Sequence, residues 1–484
     1  MRLGEALGLG DDELGEIYHH SLLRYVGCNA ETYAMVALFG DEFELRRDFA
    51  LVDSGRAAEM MSFVFNHLRR ARDGAGPYQL LAHIVRGLLT ANTTATETLA
   101  GHCEVAARLA ERLGLSPQVQ RNLGQIYERW DGRGLPQGLK GEAVAPAVRV
   151  VTFGQDAIVL RAAYGNAAAL AKLEARRGGA YDPRTVDRFL RAAPELIGDI
   201  DAVSWEAVLA LEPKPHMVLS ETEFDAACLA IADFTDLKSP YTPGHSRAVS
   251  ALAGEAARRC GLPQADVVDV TRAGLLHDLG QVAVSTRLLI KPGPLSDAER
   301  EQVRLHPYYG ERVLSRPNAL ARLGAIVGQH HERLDGSGYH RGARAAVLTP
   351  QGRILAAAEA YQGSIEARPH RPAHRPEAAA EALKRESRAG RLDADAVSGV
   401  LAAAGHRATQ RRQLVAGLTE REIDVLRLIA RGQSMKEIAR SLGISPKTVD
   451  NHIQHLYAKI AVKTRAGATL FAIEHGLAGI ADGT

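Results

Sequence analysis

The sequence is poor in the residues that mark disulfide-stabilised or membrane-embedded proteins. Its 484 residues include only four cysteines, which lie far apart without a Cys-x-x-Cys pair. We therefore expect reduced thiols and neither a disulfide framework nor a cysteine zinc site. No apolar run approaches the roughly 18 residues of a membrane helix, and the acidic first residues are unlike a signal peptide. These absences predict a cytoplasmic protein without membrane association.

Aromatic residues and net charge are also scarce. Phe, Trp and Tyr make up 5% of the chain, and the formal net charge is +2 with 24% charged residues. Such a balance is ordinary for soluble proteins and indicates no partner by itself. Alanine and leucine dominate, which favours helices, and the chain is too long for one hydrophobic core. We predict an all-α fold with several domains.

Two segments of the chain are repeated. Residues 2–28 align without gaps with residues 255–281, and residues 127–146 align with residues 331–350. Paired segments of this kind indicate a duplicated domain. The predicted boundaries are a first helical domain at 1–207, a Pro-containing linker at 208–219, a second helical domain at 220–404, a basic linker at 405–416 and a C-terminal domain at 417–484.

The second copy places polar residues at the ends of apolar helical stretches. Each would be costly to bury unpaired, and mixed imidazole and carboxylate sets suit divalent transition metals such as Fe or Mn. We expect two ions bridged by one carboxylate, a centre that activates water and clamps a phosphoryl group. The alternative is a set of separately satisfied core residues. The candidate ligands are His245, His277, Asp278, His306, His330, His331 and Glu359.

Five motifs of this copy, "GHSRAV", "LLHDLGQ", "KPGPLSDAEREQVRLHP", "HHERLDGSGY" and "EARPHR", are similar to the HD-GYP family of metal-dependent phosphodiesterases. That family cleaves cyclic di-GMP or related dinucleotides, so the resemblance implies a cyclic dinucleotide ligand. It implies one metal ion among His245, His277, Asp278 and Glu359, and a second among Asp278, His306, His330 and His331. It also implies that Asp278 is catalytic and that the substrate contacts Gln281, Arg333, Tyr339 and Arg371.

Four positions depart from the family pattern. Gln281 replaces a lysine that would offer positive charge to a phosphate, and a neutral amide donates a weaker hydrogen bond. His340 replaces the proline of the Gly-Tyr-Pro signature, Glu359 replaces an aspartate ligand, and His370 replaces a tyrosine. Metal binding tolerates these changes better than catalysis does, so the sequence leaves enzymatic activity open.

The first copy keeps the helical frame but not the ligands. The residues at the metal positions are Arg24, Tyr25, Ile126, Tyr127 and Gln155, and only His102 is retained. No metal site can be built from this set. We expect a scaffold, dimerisation or ligand-sensing role. The counterpart of His245 would precede Met1, so its helix is missing or lies upstream.

The C-terminal segment is basic, with twelve Arg and Lys against seven Asp and Glu from Arg407 onward. Thr419 and Glu422 have capping-box spacing, Gly443 ends a short helix, and Ser445 precedes a proline at the start of another. A short helix, a tight turn and a third helix predict a helix-turn-helix. The segment resembles the LuxR-type DNA-binding domain.

The LuxR resemblance places the helix at 446–459 in the major groove of double-stranded DNA. Lys447 and Thr448 would contact phosphates, and Arg465 would add a contact with the DNA backbone. The residues that would face base edges are Asp450, Asn451 and Gln454. Domains of this kind bind half-sites as dimers, so we expect a homodimer.

Three functions are consistent with the sequence. The chain is a transcriptional regulator that binds two metal ions and senses or hydrolyses a cyclic dinucleotide, a ligand-gated transcription factor without turnover, or a phosphohydrolase that its C-terminal domain merely localises on DNA. A substitution at Gln281 distinguishes the first two functions. If Gln281→Lys raised phosphodiesterase activity from nothing, the wild type would be a sensor without turnover.

Overall fold

The computed structural model describes residues 1–30, 32–72, 76–405 and 415–478. Within these ranges the regular structure is helical, and β pairing is limited to isolated bridges. The all-α prediction is confirmed. None of the described helices combines the length and hydropathy needed to span a bilayer. The chain forms two compact units, Met1–Ser220 and Glu221–Thr484. Most of the predicted basic linker at 405–416 lies outside the described residues, as do residues 479–484.

The first unit contains the first repeat copy. Its helices are α1 (Arg2–Ala6), α2 (Asp11–Leu23), α3 (Thr32–Phe39), α4 (Glu42–Phe49), α5 (Ala57–Arg70), α6 (Pro77–Arg112), α7 (Pro117–Leu123), α8 (Pro146–Tyr164), α9 (Asn166–Ala175), α10 (Pro183–Ile197) and α11 (Trp205–Leu209).

The second unit contains the second repeat copy followed by the C-terminal helices. Its helices are α12 (Glu221–Asp236), α13 (His245–Arg259), α14 (Gln264–Leu276), α15 (Thr286–Leu289), α16 (Asp297–Arg304), α17 (His306–Leu314), α18 (Asn318–Val327), α19 (Pro350–Ile365), α20 (Pro376–Arg388), α21 (Ala394–Gly405), α22 (Glu420–Ala430), α23 (Met435–Leu442), α24 (Pro446–Lys459) and α25 (Arg465–Glu474).

Local sequence signals fix several helix ends. The Thr419 hydroxyl accepts a hydrogen bond from the Glu422 N–H at 3.2 Å, and the Glu422 carboxylate accepts one from the Thr419 N–H at 2.7 Å. This reciprocal capping box satisfies two N–H groups that have no partner inside the helix. Pro350 occupies the first turn of α19, where a missing N–H costs nothing.

The core of the second unit is built on small side chains. Ala253 and Ala256 of α13 and Ala357 of α19 are buried beside larger residues such as Leu276 and Val270 of α14. Small residues let helix axes approach closely, so polar side chains at the ends of α13 and α14 and inside α19 come within bonding distance of one another. The core thus sets the spacing of the candidate site.

Both units preserve one tight backbone crossing. A Cβ on Gly280 would lie 1.9 Å from the carbonyl oxygen of His306, and a Cβ on Gly27 would lie 2.0 Å from that of His102. Only glycine permits this approach. The crossing joins the turn after α2 or α14 to the helix that carries His102 or His306, which explains why the aligned segments 2–28 and 255–281 both keep a glycine there.

Both units also preserve a loop organised by a buried glutamate. Glu332 accepts hydrogen bonds from the N–H groups of Arg341 and Ala343, both at 2.8 Å. Glu128 accepts the equivalent bonds from Gln137 and Leu139 at 2.7 and 2.8 Å. A carboxylate that receives two backbone N–H groups holds an irregular loop in one conformation. The repeated loop is therefore maintained by the same interaction in each copy.

We predict that Gly280→Ala destabilises the second unit strongly. The added methyl would collide with backbone rather than with a movable side chain, so the free energy of unfolding should fall by about 3 kcal/mol. Urea unfolding of the full chain, followed by helical circular dichroism, measures the change. Gly293→Ala is the matched control, because no atom lies within 4 Å of its added Cβ. Equal stability of the two variants would show that the crossing is not tight.

Candidate functional site

The seven predicted ligands come together in the second unit. His245 is the first residue of α13, and His277 and Asp278 directly follow α14. His306 is the first residue of α17, His330 and His331 lie beyond the end of α18, and Glu359 lies within α19. Helix ends thus supply the histidines, and the interior of one helix supplies the glutamate.

Asp278 lies at the centre of the cluster. Its Oδ2 is 3.4 Å from His277 Nε2 and 3.6 Å from His245 Nε2, and its Oδ1 is 3.3 Å from His306 Nε2 and 3.9 Å from His330 Nε2. The two oxygens therefore face two different sets of imidazoles. This arrangement allows one carboxylate to bridge two cations.

The ligand atoms form two groups, each compact enough for one metal ion. One group contains His245, His277 and Asp278, and the other contains His306, His330 and His331, with the ligand atoms of each group within 4.8 Å of one another. Glu359 joins the first group, because its Oε2 lies 2.9 Å from His245 Nε2 and 3.5 Å from His277 Nε2. The longer Glu359 side chain thus brings its carboxylate into the first group of ligands, as expected of the aspartate that it replaces in the family pattern.

Backbone carbonyls orient three of the imidazoles. The Nδ1 atoms of His277, His306 and His330 lie 2.8, 2.7 and 2.6 Å from the carbonyl oxygens of Gly274, Val303 and Val327. A proton on Nδ1 leaves the Nε2 lone pair free to bind a metal ion. In each case the acceptor is three residues upstream, so a local turn fixes the tautomer.

The geometry of the facing atoms fits a metal ion better than a hydrogen-bonded core. His245 Nε2, His277 Nε2 and Glu359 Oε2 are buried and lack correctly aligned hydrogen-bond partners. His306 Nε2 and His330 Nε2 face each other at 3.0 Å. Buried polar atoms without partners are costly, and cations shared by these atoms would satisfy them. Nitrogen and carboxylate donors together suit Fe, Mn or Zn.

Burial and mutual charge oppose each other in this cluster. Burial alone would raise the pKa of Asp278, but His277 and His306 hold it well below its usual value. Burial alone would lower the pKa of His277, but Asp278 and Glu359 raise it to about 10. The pKa of His330 falls to about 3 through burial and repulsion from His277 and His306. Without a cation, protonated imidazoles balance the two carboxylates, and a cation would replace those protons.

Glu366 is a residue of the site that the sequence interpretation missed. Its Oε2 lies 2.7 Å from His245 Nδ1, and its Oε1 accepts a hydrogen bond from Gln362 Nε2 at 2.7 Å. A carboxylate on the far nitrogen orients a metal-binding imidazole and raises its basicity. Glu366 begins the quoted "EARPHR" motif. That motif carried the signal, but the partner lies 121 residues away.

The predicted substrate residues take different positions. The Tyr339 ring stacks on His331 at 4.6 Å, and the N–H of Gln281 donates to the Asp278 carbonyl at 2.8 Å. Both therefore lie beside the cluster. The Arg333 guanidinium donates to the carbonyl of Glu332 at 2.8 Å.

Arg371 has its guanidinium occupied by backbone. It donates to the carbonyls of Ser364, Glu366 and Pro372 at 3.1, 3.0 and 3.1 Å, and also to that of Gly363. This guanidinium closes the end of α19 rather than presenting its N–H groups to the cluster. Its predicted contact with substrate stays a prediction.

The first unit has other chemistry at the equivalent positions. Arg24 is buried and donates to Thr152 Oγ1 at 2.9 Å, and Tyr25 is 53% exposed. His102 lies 3.1 Å from the Tyr127 hydroxyl and 3.2 Å from the Ala30 carbonyl, so both of its nitrogens have partners. Burial lowers the pKa of His102 to about 3. This set of side chains offers no group of metal ligands.

The C-terminal helices have the predicted helix-turn-helix geometry. Helix α23 ends at Gly443, whose φ of +63° allows the sharp turn. Ser445 then caps α24 by accepting from the Thr448 N–H at 3.1 Å. The observed bounds of α24 coincide with the predicted helix at 446–459.

Helix α24 buries one face and exposes the other. Val449 and Leu456 are buried, whereas Lys447, Asn451 and Gln454 are exposed. Thr448 and Asp450 are partly buried at the edge of the exposed face, and Gln454 Nε2 donates to Asp450 Oδ2 at 3.1 Å. The predicted base-reading residues therefore share the exposed face.

Arg465 has a structural partner. Its Nη2 donates to the carbonyls of Ile429 and Gln433 at 2.8 and 2.6 Å, at the C-terminal end of α22. A guanidinium at a helix C-terminus satisfies free carbonyls and complements the helix dipole. Its predicted contact with the DNA backbone stays a prediction.

Comparison with known families supports both the duplicated helical domain and the C-terminal helix-turn-helix. The HD domain family matches residues 75–185 and 230–396, which together exceed half of the chain. This chain therefore belongs to the HD domain family. Residues 416–472 match the luxR family of bacterial regulatory proteins. The predicted tandem HD domains followed by a LuxR-type helix-turn-helix are confirmed.

Characterised relatives are phosphodiesterases. The chain is 29% identical over 378 residues to the 3′3′-cGAMP-specific phosphodiesterase 3 of Vibrio cholerae, covering 77% of this chain and 81% of that protein. It is 33% identical over 178 residues to a cyclic di-GMP phosphodiesterase of Thermotoga maritima, covering 35% of this chain and 48% of that protein. The chain thus spans about half the length of the second relative.

A solved structure shares the fold. The crystal structure of a cyclic GMP-AMP-specific phosphodiesterase of V. cholerae matches with a TM-score of 0.54 at 24% identity, over 84% of this chain and 90% of that chain. Similarity at this level of identity supports the fold alone.

We predict that Glu366→Gln weakens metal binding by about 10- to 100-fold. The amide keeps the size of the side chain but removes the charge that orients and polarises His245. Isothermal titration of the metal-free protein with Mn²⁺ measures the affinity. Glu377→Gln, at an exposed position on α20, is the matched control. Unchanged affinity in Glu366→Gln would show that the ion does not depend on this orientation of His245.

Proposed function

We propose that this chain is a transcriptional regulator that binds double-stranded DNA. Its second HD domain holds two divalent transition-metal ions and hydrolyses a cyclic dinucleotide. The main support is the position of Asp278, with each carboxylate oxygen facing a different group of imidazoles. A structural core has no need for this arrangement, because a single partner would satisfy each group.

The ligand set explains what the chain contributes to hydrolysis. When bound, two divalent ions supply Lewis acidity for attack of water on a phosphodiester. Asp278 and Glu359 bring negative charge that holds the ions, and the hydrogen-bonded Nδ1 atoms keep the imidazoles in place. All of the ligands except the partly exposed His331 are buried, which keeps bulk solvent from competing with the protein side chains for the ions.

Side chains beside the cluster supply the substrate contacts. Tyr339 offers an aromatic face, and the Arg304 guanidinium lies 5.1 Å from the centre of that ring. Arg304 therefore places positive charge next to His306, where Gln281 provides none. One nitrogen of this guanidinium pairs with Glu301 at 2.9 Å, and the group can still offer a phosphate the positive charge that the lysine missing at position 281 would supply.

The exposed face of α24 supports binding to duplex DNA. Asn451 and Gln454 can read adenine, and Asp450 can accept from cytosine N4. Lys447 at the start of the helix can contact a phosphate. The match to the luxR family adds independent support for this role.

We predict that Asp278→Ala abolishes both metal binding and nucleotide hydrolysis. Removal of the shared carboxylate takes a ligand from both groups at once, so the second group keeps imidazoles alone and no carboxylate is left between the two groups to bridge two ions. Purified wild-type protein should carry close to two ions per chain by elemental analysis and should cleave 3′3′-cGAMP or cyclic di-GMP in a chromatographic assay. The variant should retain its helical spectrum.

Asp297→Ala is the matched control, because that carboxylate is 99% exposed. Wild-type protein that carries metal but cleaves neither nucleotide would contradict the hydrolytic half of the proposal. If Gln281→Lys then created cleavage, the wild-type domain would be a sensor. Absence of metal from the wild type would contradict both halves.

A contact between the HD domain and the helix-turn-helix favours the sensor as the second candidate function. Arg247, two residues after His245, donates from Nη1 to the carbonyl of Glu474 at 3.2 Å, at the end of α25. Its other nitrogens pair with the buried Asp233 at 2.5 and 2.6 Å. The first turn of α13 therefore contacts both the cluster and the DNA-binding domain, which provides a route for coupling.

We predict that Arg247→Ala uncouples DNA binding from the nucleotide. The Arg247–Glu474 contact is lost while the ligands stay in place, so metal content should be unchanged. DNA fragments recovered by genomic selection serve as the probe. The affinity of the metal-loaded protein for these fragments is measured with and without 3′3′-cGAMP. Arg258→Ala, on the same helix but at an exposed guanidinium that pairs with Glu255, is the control. If the affinity of the wild type for DNA is the same with and without the nucleotide, the DNA-binding domain only localises the protein on DNA.

A further inference from the structure

Helix α6 has two apolar faces, and the core of the first unit uses only one of them. On the inner face, Gly87 packs so closely on Leu68 of α5 that a Cβ there would lie 2.3 Å from a methyl of Leu68. Ile84 and Ala91 pack into the same buried cluster, which includes Phe39. The position of α6 in its own unit is therefore set without help from its outer face.

The outer face consists of large apolar side chains exposed to solvent. Tyr78 is 88% exposed, Leu81 61%, Val85 50%, Leu88 40% and Leu89 78%. A contiguous exposed surface of this kind indicates an interaction site. We call it the outer face of α6.

The spacing of these residues is that of a coiled coil. Tyr78, Val85 and Asn92 recur every seven residues, and Leu81, Leu88 and Ala95 follow each of them by three. In heptad terms the first set occupies a positions and the second d positions. Val at a, Leu at d and a single polar Asn at a are the pattern of a two-stranded parallel coiled coil, in which the Asn side chains pair and fix the register.

Charge on the outer face suits pairing with an identical helix. In a two-fold pair each seam residue lies next to its own copy, so a charged residue would meet its like. The residues at the a and d positions carry no charge. The charged residues Arg86 and Glu97 fall at b and f positions, which point away from the seam.

We propose that the outer face of α6 binds the same face of a second copy of this chain and forms a parallel homodimer. The heptad pattern selects another helix as the partner, and the absence of seam charge together with Asn92 at an a position selects an identical one. This assigns the first HD domain, which lacks a metal-ligand set, an assembly role. It also supplies the dimer that a LuxR-type domain needs to occupy two half-sites.

Sedimentation velocity of the full chain at micromolar concentration tests the proposal. The wild type should sediment as a dimer, and Val85→Asp with Leu88→Asp should raise the dimer dissociation constant by at least about 100-fold, since four carboxylates would face one another across the seam. Because both side chains are half exposed, the double variant should keep the wild-type helical spectrum and metal content.

The matched control is Val313→Asp with Val347→Asp, at positions 51% and 70% exposed in the second unit. These changes should leave the dimer intact. A monomeric wild type, or a Val85→Asp and Leu88→Asp variant that still dimerises as the wild type does, would overturn the proposal. Neither result depends on nucleotide hydrolysis or DNA binding, so the interface is tested separately from the proposed function.

Disulfide trapping tests the parallel orientation. In a parallel pair a d-position residue faces its own counterpart, so Leu81→Cys and, separately, Leu88→Cys should each form a cross-linked dimer under mild oxidation. In an antiparallel pair at most the position near the centre of the overlap can do so. The wild type and Val347→Cys report background from the native thiols, of which Cys28, Cys103 and Cys228 are buried. Cross-linking no greater than this background would overturn the proposal.

Discussion

The arrangement of helices in the second unit depends on compensating the charge of one buried carboxylate, that of Asp278. Asp278 is 4% exposed, and an isolated buried charge of this kind would be far too costly to keep. Its oxygens are compensated by imidazoles from the ends of α13, α14, α17 and α18, so these helix ends must converge on one point. The convergence depends in turn on the alanine-rich contacts that bring α13, α14 and α19 close together. Helix packing and ligand placement are therefore parts of one constraint.

The first unit shows what happens when that constraint is released. Tyr25 stands where Asp278 stands in the second copy, and it is 53% exposed. No buried carboxylate remains at this position to be compensated, so the surrounding histidines are free to vary, and His102 alone is kept as a hydrogen-bonded structural residue. The glycine crossing and the glutamate-organised loop are unaffected, because they involve backbone atoms. A duplicated domain can thus lose its chemistry and keep its fold.

The sequence predicted the parts of this structure that depend on local signals. The all-α fold, the capping box of Thr419 and the bounds of α24 follow from residue types a few positions apart. The convergence of the candidate ligands was anticipated because their motifs recur in a known order. The contacts of Glu366 and Arg371 were not, since each depends on where distant elements meet in space. Arg371 is instructive: a family motif marks its position, but only the structure shows four carbonyls around its guanidinium.

The division of the chain follows from incompatible demands on a single domain. A metal site requires buried, charged and rigid surroundings, whereas a self-association surface requires exposed apolar side chains without charge, as on the outer face of α6. Placing both on one HD domain would expose the metal cluster to the packing changes of assembly. Duplication removes the conflict, because the copy without ligands is free to carry the apolar face. The copy with ligands then keeps the direct contact with the DNA-binding helices through Arg247.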